Sequence, residues 1–261
     1  VVLPGDPVGA AVAISRARLA PGSCTTAVLV PADALVIAIA APVAALLEAP
    51  LLIAGADDTE AELARLGVTR RVAVGAEVDG AEQIGRPPDP ADPADDGDLD
   101  AIGALSLDVA HWVRAQAGSV RAFALAETDD ARALAGPVGA AAALRRFPVM
   151  IGTEAARRGA MEGARRAAVT YLVGPDAIAG AAQVPGGFPL PAPSNEAIAA
   201  RLAQLLKADG IRPATTALAN PAAAHATNAL LAACGGVVLF GLPSPTDGTD
   251  RVFTVTEEGD D

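Results

Sequence analysis

Three short, almost wholly apolar runs punctuate the chain with similar endings: Leu51-Leu52-Ile53-Ala54-Gly55, Val149-Met150-Ile151-Gly152-Thr153 and Val237-Val238-Leu239-Phe240-Gly241. Each follows an Ala-rich stretch of helical character. The entries, Ala49-Pro50, Phe147-Pro148 and Gly235-Gly236, carry residues that stop helices and open strands. A second strand comes after each run: Arg71-Val72-Ala73-Val74-Gly75, Thr170-Tyr171-Leu172-Val173-Gly174 and Arg251-Val252-Phe253-Thr254-Val255. Helical segments over 60–66 and 155–167 fill the first two gaps, whereas Pro243-Ser244-Pro245-Thr246-Asp247-Gly248 is too short and turn-rich for a helix. Upstream, amphipathic helices over 7–19, 99–117 and 195–208 lead into strands over 26–30, 121–126 and 215–219.

Helices thus alternate with strands that are apolar on both faces, the pattern of right-handed βαβ units in a parallel sheet. The expected fold is α/β, in three degenerate copies of one unit. An acidic, Pro-rich stretch over 86–98 and a Pro/Gly stretch over 185–193 read as linkers, which divides the chain into modules over 1–85, 99–184 and 194–261.

Composition narrows the function. With 52% hydrophobic residues and a mean hydropathy of +0.37, the 261-residue chain has material for a sizeable core, but only 3% of it is aromatic. Ala, Val, Leu and Ile must therefore fill the interior. A net charge of −12 and the scarcity of aromatics argue against nucleic acid or an anionic membrane as partner. Lys207 is the sole lysine among 19 basic residues, which reads as the codon usage of a high-GC bacterium. The most apolar stretch, 34–54, is interrupted by Pro42, Glu48 and Pro50 and does not make a membrane span. The first residue is Val1 rather than Met, so a signal segment is taken to have been removed or left out, and its absence here says nothing about location. Cys24 and Cys234 match no zinc spacing; they read either as one bridge between the first and last units or as two small buried thiols.

The first unit resembles the type-2 cell-wall-binding repeat of bacterial surface proteins. The residues that carry the resemblance are Ala11-Val12-Ala13-Ile14-Ser15-Arg16-Ala17, Asp33-Ala34-Leu35, Ala41-Pro42-Val43-Ala44, Ala49-Pro50-Leu51-Leu52-Ile53 and Glu62-Leu63-Ala64-Arg65-Leu66-Gly67-Val68 leading to Arg71-Val72-Ala73-Val74-Gly75. The second unit is similar through Asp130-Ala131, Gly136-Pro137-Val138, Phe147-Pro148-Val149 and Tyr171-Leu172-Val173-Gly174. Pro7, Val8 and Ala10 stand where the family has an Arg-Tyr-x-Thr stretch, and Gly75-Ala76 where it has paired glycines. The resemblance implies tandem Rossmann-like modules about a pseudo-threefold axis that hold a surface protein on a cell-wall polymer.

Candidate site residues follow from position and charge. Asp33 lies at a strand-to-helix junction, as do Asp129 and Asp130 in the second unit, and they read either as helix caps or as ligands of polymer hydroxyls or a cation. Arg145, Arg146, Arg157, Arg158, Arg165 and Arg166 make the second unit basic, with nine arginines against seven acidic residues over 104–185. They read as contacts for an anionic polymer or as a solvated helix face. His111 beside Trp112, and His225, stand in no catalytic or metal spacing. No GxGxxG, GxxxxGK[ST] or GxSxG occurs, so no cofactor is implied. The reading is a non-enzymatic, extracytoplasmic envelope protein that binds a cell-wall polymer. The alternatives are a scaffold or complex subunit that has lost glycan binding, and an extracytoplasmic solute-binding protein.

Overall fold

The computed structural model describes residues 7–85, 100–119, 121–126, 128–163, 169–191, 198, 201–202, 213–218, 239–243 and 250–255. The first unit runs α1 (Pro7–Arg18), β1 (Thr26–Val30), α2 (Ala34–Leu47), β2 (Leu51–Ile53), α3 (Asp57–Leu66), β3 (Arg70–Ala73) and β4 (Glu82–Gln83). The second repeats it as α4 (Ala101–Ala117), β5 (Arg121–Leu125), α5 (Asp129–Arg145), β6 (Val149–Ile151), α6 (Thr153–Gly163) and β7 (Val169–Val173), then α7 (Pro175–Ala179) and β8 (Gly187–Leu190). Both sheets are parallel and share one order, β2-β1-β3-β4 and β6-β5-β7-β8.

That order fixes where the helices go. The chain steps to one side of the central strand and then to the other, so right-handed crossovers put the two connecting helices on opposite faces. In the first unit α3 joins α1 on the outer face, and in the second α6 joins α4. The inner helices α2 and α5 pack against each other. Strand alternation in the second sheet matches: Phe123, Leu125, Val149 and Ile151 belong to the core shared with the first unit, while Ala122, Ala124, Met150 and Leu172 face a separate cluster with Ala156 and Ala160 of α6.

α2 is apolar all round and buried from Leu35 to Ala44, as expected of a helix enclosed between layers. Its partner approaches closely because α5 presents Gly139. A Cβ on Gly139 would stand 2.9 Å from Ala38 Cα and 3.2 Å from Ala38 Cβ. Small side chains on both helices let the backbones come together, so the Ala-rich composition is a packing requirement of this seam.

Two expectations change. Where a third copy is expected there is a three-stranded sheet, β9 (Pro213–Leu218), β10 (Leu239–Pro243) and β11 (Asp250–Val255), ordered β10-β11-β9, and its pairings are antiparallel. The parallel expectation fails there because only residues 244–249 connect β10 to β11, too few for a parallel crossover of a dozen or more residues. The Pro/Gly stretch over 185–193 is also more than a linker, since 187–190 forms the edge strand β8. Pro189 is tolerated because an edge strand has one unpaired side where a missing N–H costs nothing. The acidic linker, and most of the helix expected over 195–208, lie outside the described residues.

Candidate functional site

The C-terminal ends of the strands, where open α/β sheets bind ligands, are the first place to look. Asp33 ends the β1–α2 turn in extended backbone, and its Oδ1 accepts hydrogen bonds from the N–H groups of Leu35 at 2.9 Å and Val36 at 3.2 Å. Its Oδ2 accepts from Arg132 Nη1 at 2.5 Å, and Arg132 belongs to the first turn of α5 in the other unit. One carboxylate therefore caps α2 and ties the two units together. Both of its oxygens are engaged, which leaves little capacity for a polymer hydroxyl or a cation. In the second unit Thr128 holds the seat that Asp33 holds in the first, since α5 begins at Asp129; Asp129 and Asp130 occupy its first turn.

Between the C-terminal ends of β5 and β7, where the strand order reverses, lies a small crevice of about 10 Å³, bounded by Ala126, Thr128, Leu134, Gly174 and Asp176. Solute pockets run to about 300–1,000 Å³. The matching place in the first unit is filled. Gly75, at φ 65°, is backed by Val36 and Leu105 so closely that an added Cβ would lie 2.8 Å from each. Neither described switch point has room for a solute. Among the described residues no group of three or more His, Cys, Asp and Glu side chains is placed to hold a metal ion.

The arginines divide rather than cluster. Arg157 and Arg158 close on Glu154 of their own helix at 2.5–2.8 Å, and their hydrogen bonds hold the Glu154 carboxyl down to about 2. These two are engaged in a local clamp. Arg145 ends α5 at the N-terminal end of the strands, half-buried; burial lowers its pKa, and the nearby charge of Arg121 lowers it further. Arg146 follows in left-handed backbone at φ 54° and is exposed. Arg165 and Arg166 lie outside the described residues.

The seams between outer helices carry polar networks that the sequence reading did not single out. Glu62 of α3 is fully buried and accepts from Ser15 Oγ at 2.5 Å and Arg16 Nε at 3.2 Å on α1, and from Arg65 Nη2 at 2.6 Å. Burial alone would raise the Glu62 pKa, but the hydrogen bonds from Arg65, Ser15 and Arg16 outweigh it and the net shift is downward. A buried Ser and Glu at helical spacing in the resembling segments was the available signal. At the matching seam of the second unit, His111 of α4 contacts Glu162 of α6 at the surface, which gives that histidine a structural partner. Cys24 is a free thiol that donates to the Thr26 carbonyl at 3.1 Å; Cys234 and His225 lie outside the described residues.

A further feature appears only when the strands pair. Phe123 on β5 is in register with Tyr171 on β7, and Tyr171 with Phe188 on β8, so the three rings share one face of the sheet. With Phe147 they form a row, the successive ring centroids 5.9, 5.5 and 5.9 Å apart. Four of the seven aromatic residues of the chain are in it. The row runs from half-buried Phe147 through buried Phe123 and half-buried Tyr171 to Phe188, which is 54% exposed.

No protein-family model matches the chain, and no curated protein matches it. Solved structures do share its fold. Cwp8 from Clostridium difficile aligns over 77% of this chain with a TM-score of 0.58 and 18% identity, and Cwp6 from Clostridium difficile over 89% with a TM-score of 0.62 and 14% identity. Both are cell wall proteins, and the alignments cover 36% and 40% of their own lengths, so this chain corresponds to well under half of either.

Proposed function

We infer that this chain is a non-catalytic, extracytoplasmic envelope protein whose repeated α/β modules associate with the cell wall by binding one of its polymers. The observation that carries the reading is the fold: two parallel-sheet units with identical strand order, joined through an Ala-rich helix seam, in an arrangement shared with two cell wall proteins. The strands over 213–218, 239–243 and 250–255 belong in this reading to a third, degenerate module. The engagement of Glu62, Glu154 and Asp33 in structural ion pairs supports a binding body over a catalytic one. The small crevice at the second switch point weighs against the solute-binding alternative.

The test is retention of the purified protein on cell walls isolated from its source, before and after removal of anionic polymers, across a salt series. Retention that falls with salt and disappears with the polymer is the expected result. Failure to be retained on intact walls refutes the reading and leaves the modules as a scaffold for a protein partner.

A further inference from the structure

The outer helices of the two units follow one plan but present different surfaces. On α3 the large apolar side chains, Leu63 and Leu66, are both buried. On α6 the only large apolar side chain is Met161, and it is 53% exposed. Removal of apolar area from water does not account for a side chain that keeps more than half its surface wet. What a methionine has and a leucine lacks is a soft, nucleophilic sulfur.

The chain has two methionines, and this one helix treats them oppositely. Met150 on β6 is wholly buried, and Gly159 of α6 lies so close over it that an added Cβ would collide with its Sδ. Two residues further along α6, Met161 meets a guanidinium instead: Arg157 Nη1 donates to its Sδ at 3.2 Å. Ala156 and Ala160 pack with Ala122, Ala124 and Met150 of the sheet, whereas Glu154, Arg157 and Met161 follow one another at helical spacing along a single stripe. Arg157 also holds Glu154, through Nε at 2.7 Å and Nη2 at 2.5 Å. One guanidinium thus joins a carboxylate on one side and a thioether on the other. A thioether sulfur is a weak acceptor, and oxidation to the sulfoxide makes the side chain polar, so a guanidinium set against Met161 favours the oxidised form.

We propose that Met161 is a reversible oxidation site on the surface of the second unit and that Arg157 receives the oxygen it gains. With a peroxide as oxidant, the sulfur lone pair attacks one peroxide oxygen, the S–O bond forms and the O–O bond breaks. The proton of the transferred hydroxyl joins the departing hydroxide as water; the sulfur loses two electrons and the peroxide gains them. A dithiol-dependent sulfoxide reductase reverses the step: the oxygen leaves as water and the dithiol becomes a disulfide. Met150 is spared, because its sulfur is sealed under α6. The chemistry is independent of what the modules bind.

The experiment is a time course of the full chain in hydrogen peroxide, quenched, digested with trypsin and mapped by mass spectrometry. Cleavage after Arg157 and Arg158 puts the two methionines in separate peptides. Met161 should gain one oxygen at close to the rate of a free methionine derivative, and Met150 should be slower by about tenfold or more, because oxidation there waits for local opening. The reductase should then return the Met161 peptide to its original mass. Comparable rates at the two sulfurs, or a Met161 sulfoxide that the enzyme cannot reduce, overturn the proposal. The melting temperature before and after oxidation tests Arg157. Oxidation should lower it by more in Arg157→Ala than in wild type, and comparing each protein with itself cancels the separate loss of the Glu154 pair. Met161→Leu, matched in size at an exposed site, keeps the fold and should show no change under the same peroxide. Equal shifts in wild type and Arg157→Ala, or a shift that persists in Met161→Leu, would refute Arg157 as the receiver of the oxygen.

Discussion

Where α5 meets α2 the backbones come together because a methyl group is missing at Gly139, and restoring it gives a test whose sign is decisive. Gly139→Ala places a Cβ 2.9 Å from Ala38 Cα and 3.2 Å from Ala38 Cβ, where the nearest atom is main chain and has no rotamer by which to yield. By helix propensity alone the change is favourable by about 0.5–1 kcal/mol, because Gly is a poor residue inside a helix. Against this stands overpacking of a filled seam, which costs about 1–3 kcal/mol. The net expectation is a loss of about 1–2 kcal/mol, or about 2–8 °C in melting temperature for a domain of this size. Urea unfolding followed by circular dichroism measures it, with an unchanged m-value showing that the same surface unfolds. Since the main contact is with Ala38 Cα, the double variant with Ala38→Gly should recover only a small part of the loss. Stabilisation by Gly139→Ala, or full rescue by Ala38→Gly, would refute the close-packed seam.

Other predictions concern the ion pairs. Glu62→Ala removes the one acceptor shared by Ser15, Arg16 and Arg65 in a buried site; breaking such a pair typically costs about 3–5 kcal/mol, and Arg16 and Arg65 keep some access to water, so about 2–3 kcal/mol is expected in urea unfolding. The Glu62 and Glu154 pKa values are both depressed in the fold, to about 2 for Glu154, so their stabilisation is complete above the ordinary carboxylate range and is lost as pH falls through it toward 2. Stability measured against pH should therefore fall steeply on the acid side, and Glu154→Gln should flatten that fall. Asp33→Ala should lose the α2 cap, about 1 kcal/mol, and a double-mutant cycle with Arg132→Ala should show a coupling of about 0.5–1 kcal/mol between the units. A cycle that shows no coupling would mean the Arg132 contact does not join them in solution.

The sequence pattern reached furthest where burial and chain direction coincide. β1 occupies 26–30 as expected, and the helices and other central strands of the first two units fall within a few residues of their expected places, because apolar runs between helix stops admit little else. It failed at the sheet edges. Glu82-Gln83 is a two-residue, exposed strand with no alternation to detect, and Gly187-Phe188-Pro189-Leu190 carries the punctuation of a loop, yet each finds a strand to pair with. Asp33 was legible as a cap because a cap is local. Its second partner, Arg132, is 99 residues away and belongs to a contact that only the packing of α5 on α2 creates. The arginine doublets add up to one basic unit in the sequence, whereas helix direction sends Arg145 to the N-terminal end of the strands and leaves Arg157 near their C-terminal end. The aromatic row escaped notice because each ring sits alone in an apolar or Pro-rich segment, and only strand register aligns them.

The same comparison says where function can vary in such a molecule. The inner seam is close-packed where Gly139 of α5 meets Ala38 of α2, so a larger side chain at that point would press the two helices apart. The switch points are constrained as well, one filled by Val36 and Leu105 and the other shallow. What remains free is the outer edge, where β4 and β8 each pair on one side only. There the two units differ most: Glu82 with Arg70 in one, Phe188 with Tyr171 in the other. A duplicated unit that must conserve its packing face can change its chemistry at an edge strand without disturbing the seam.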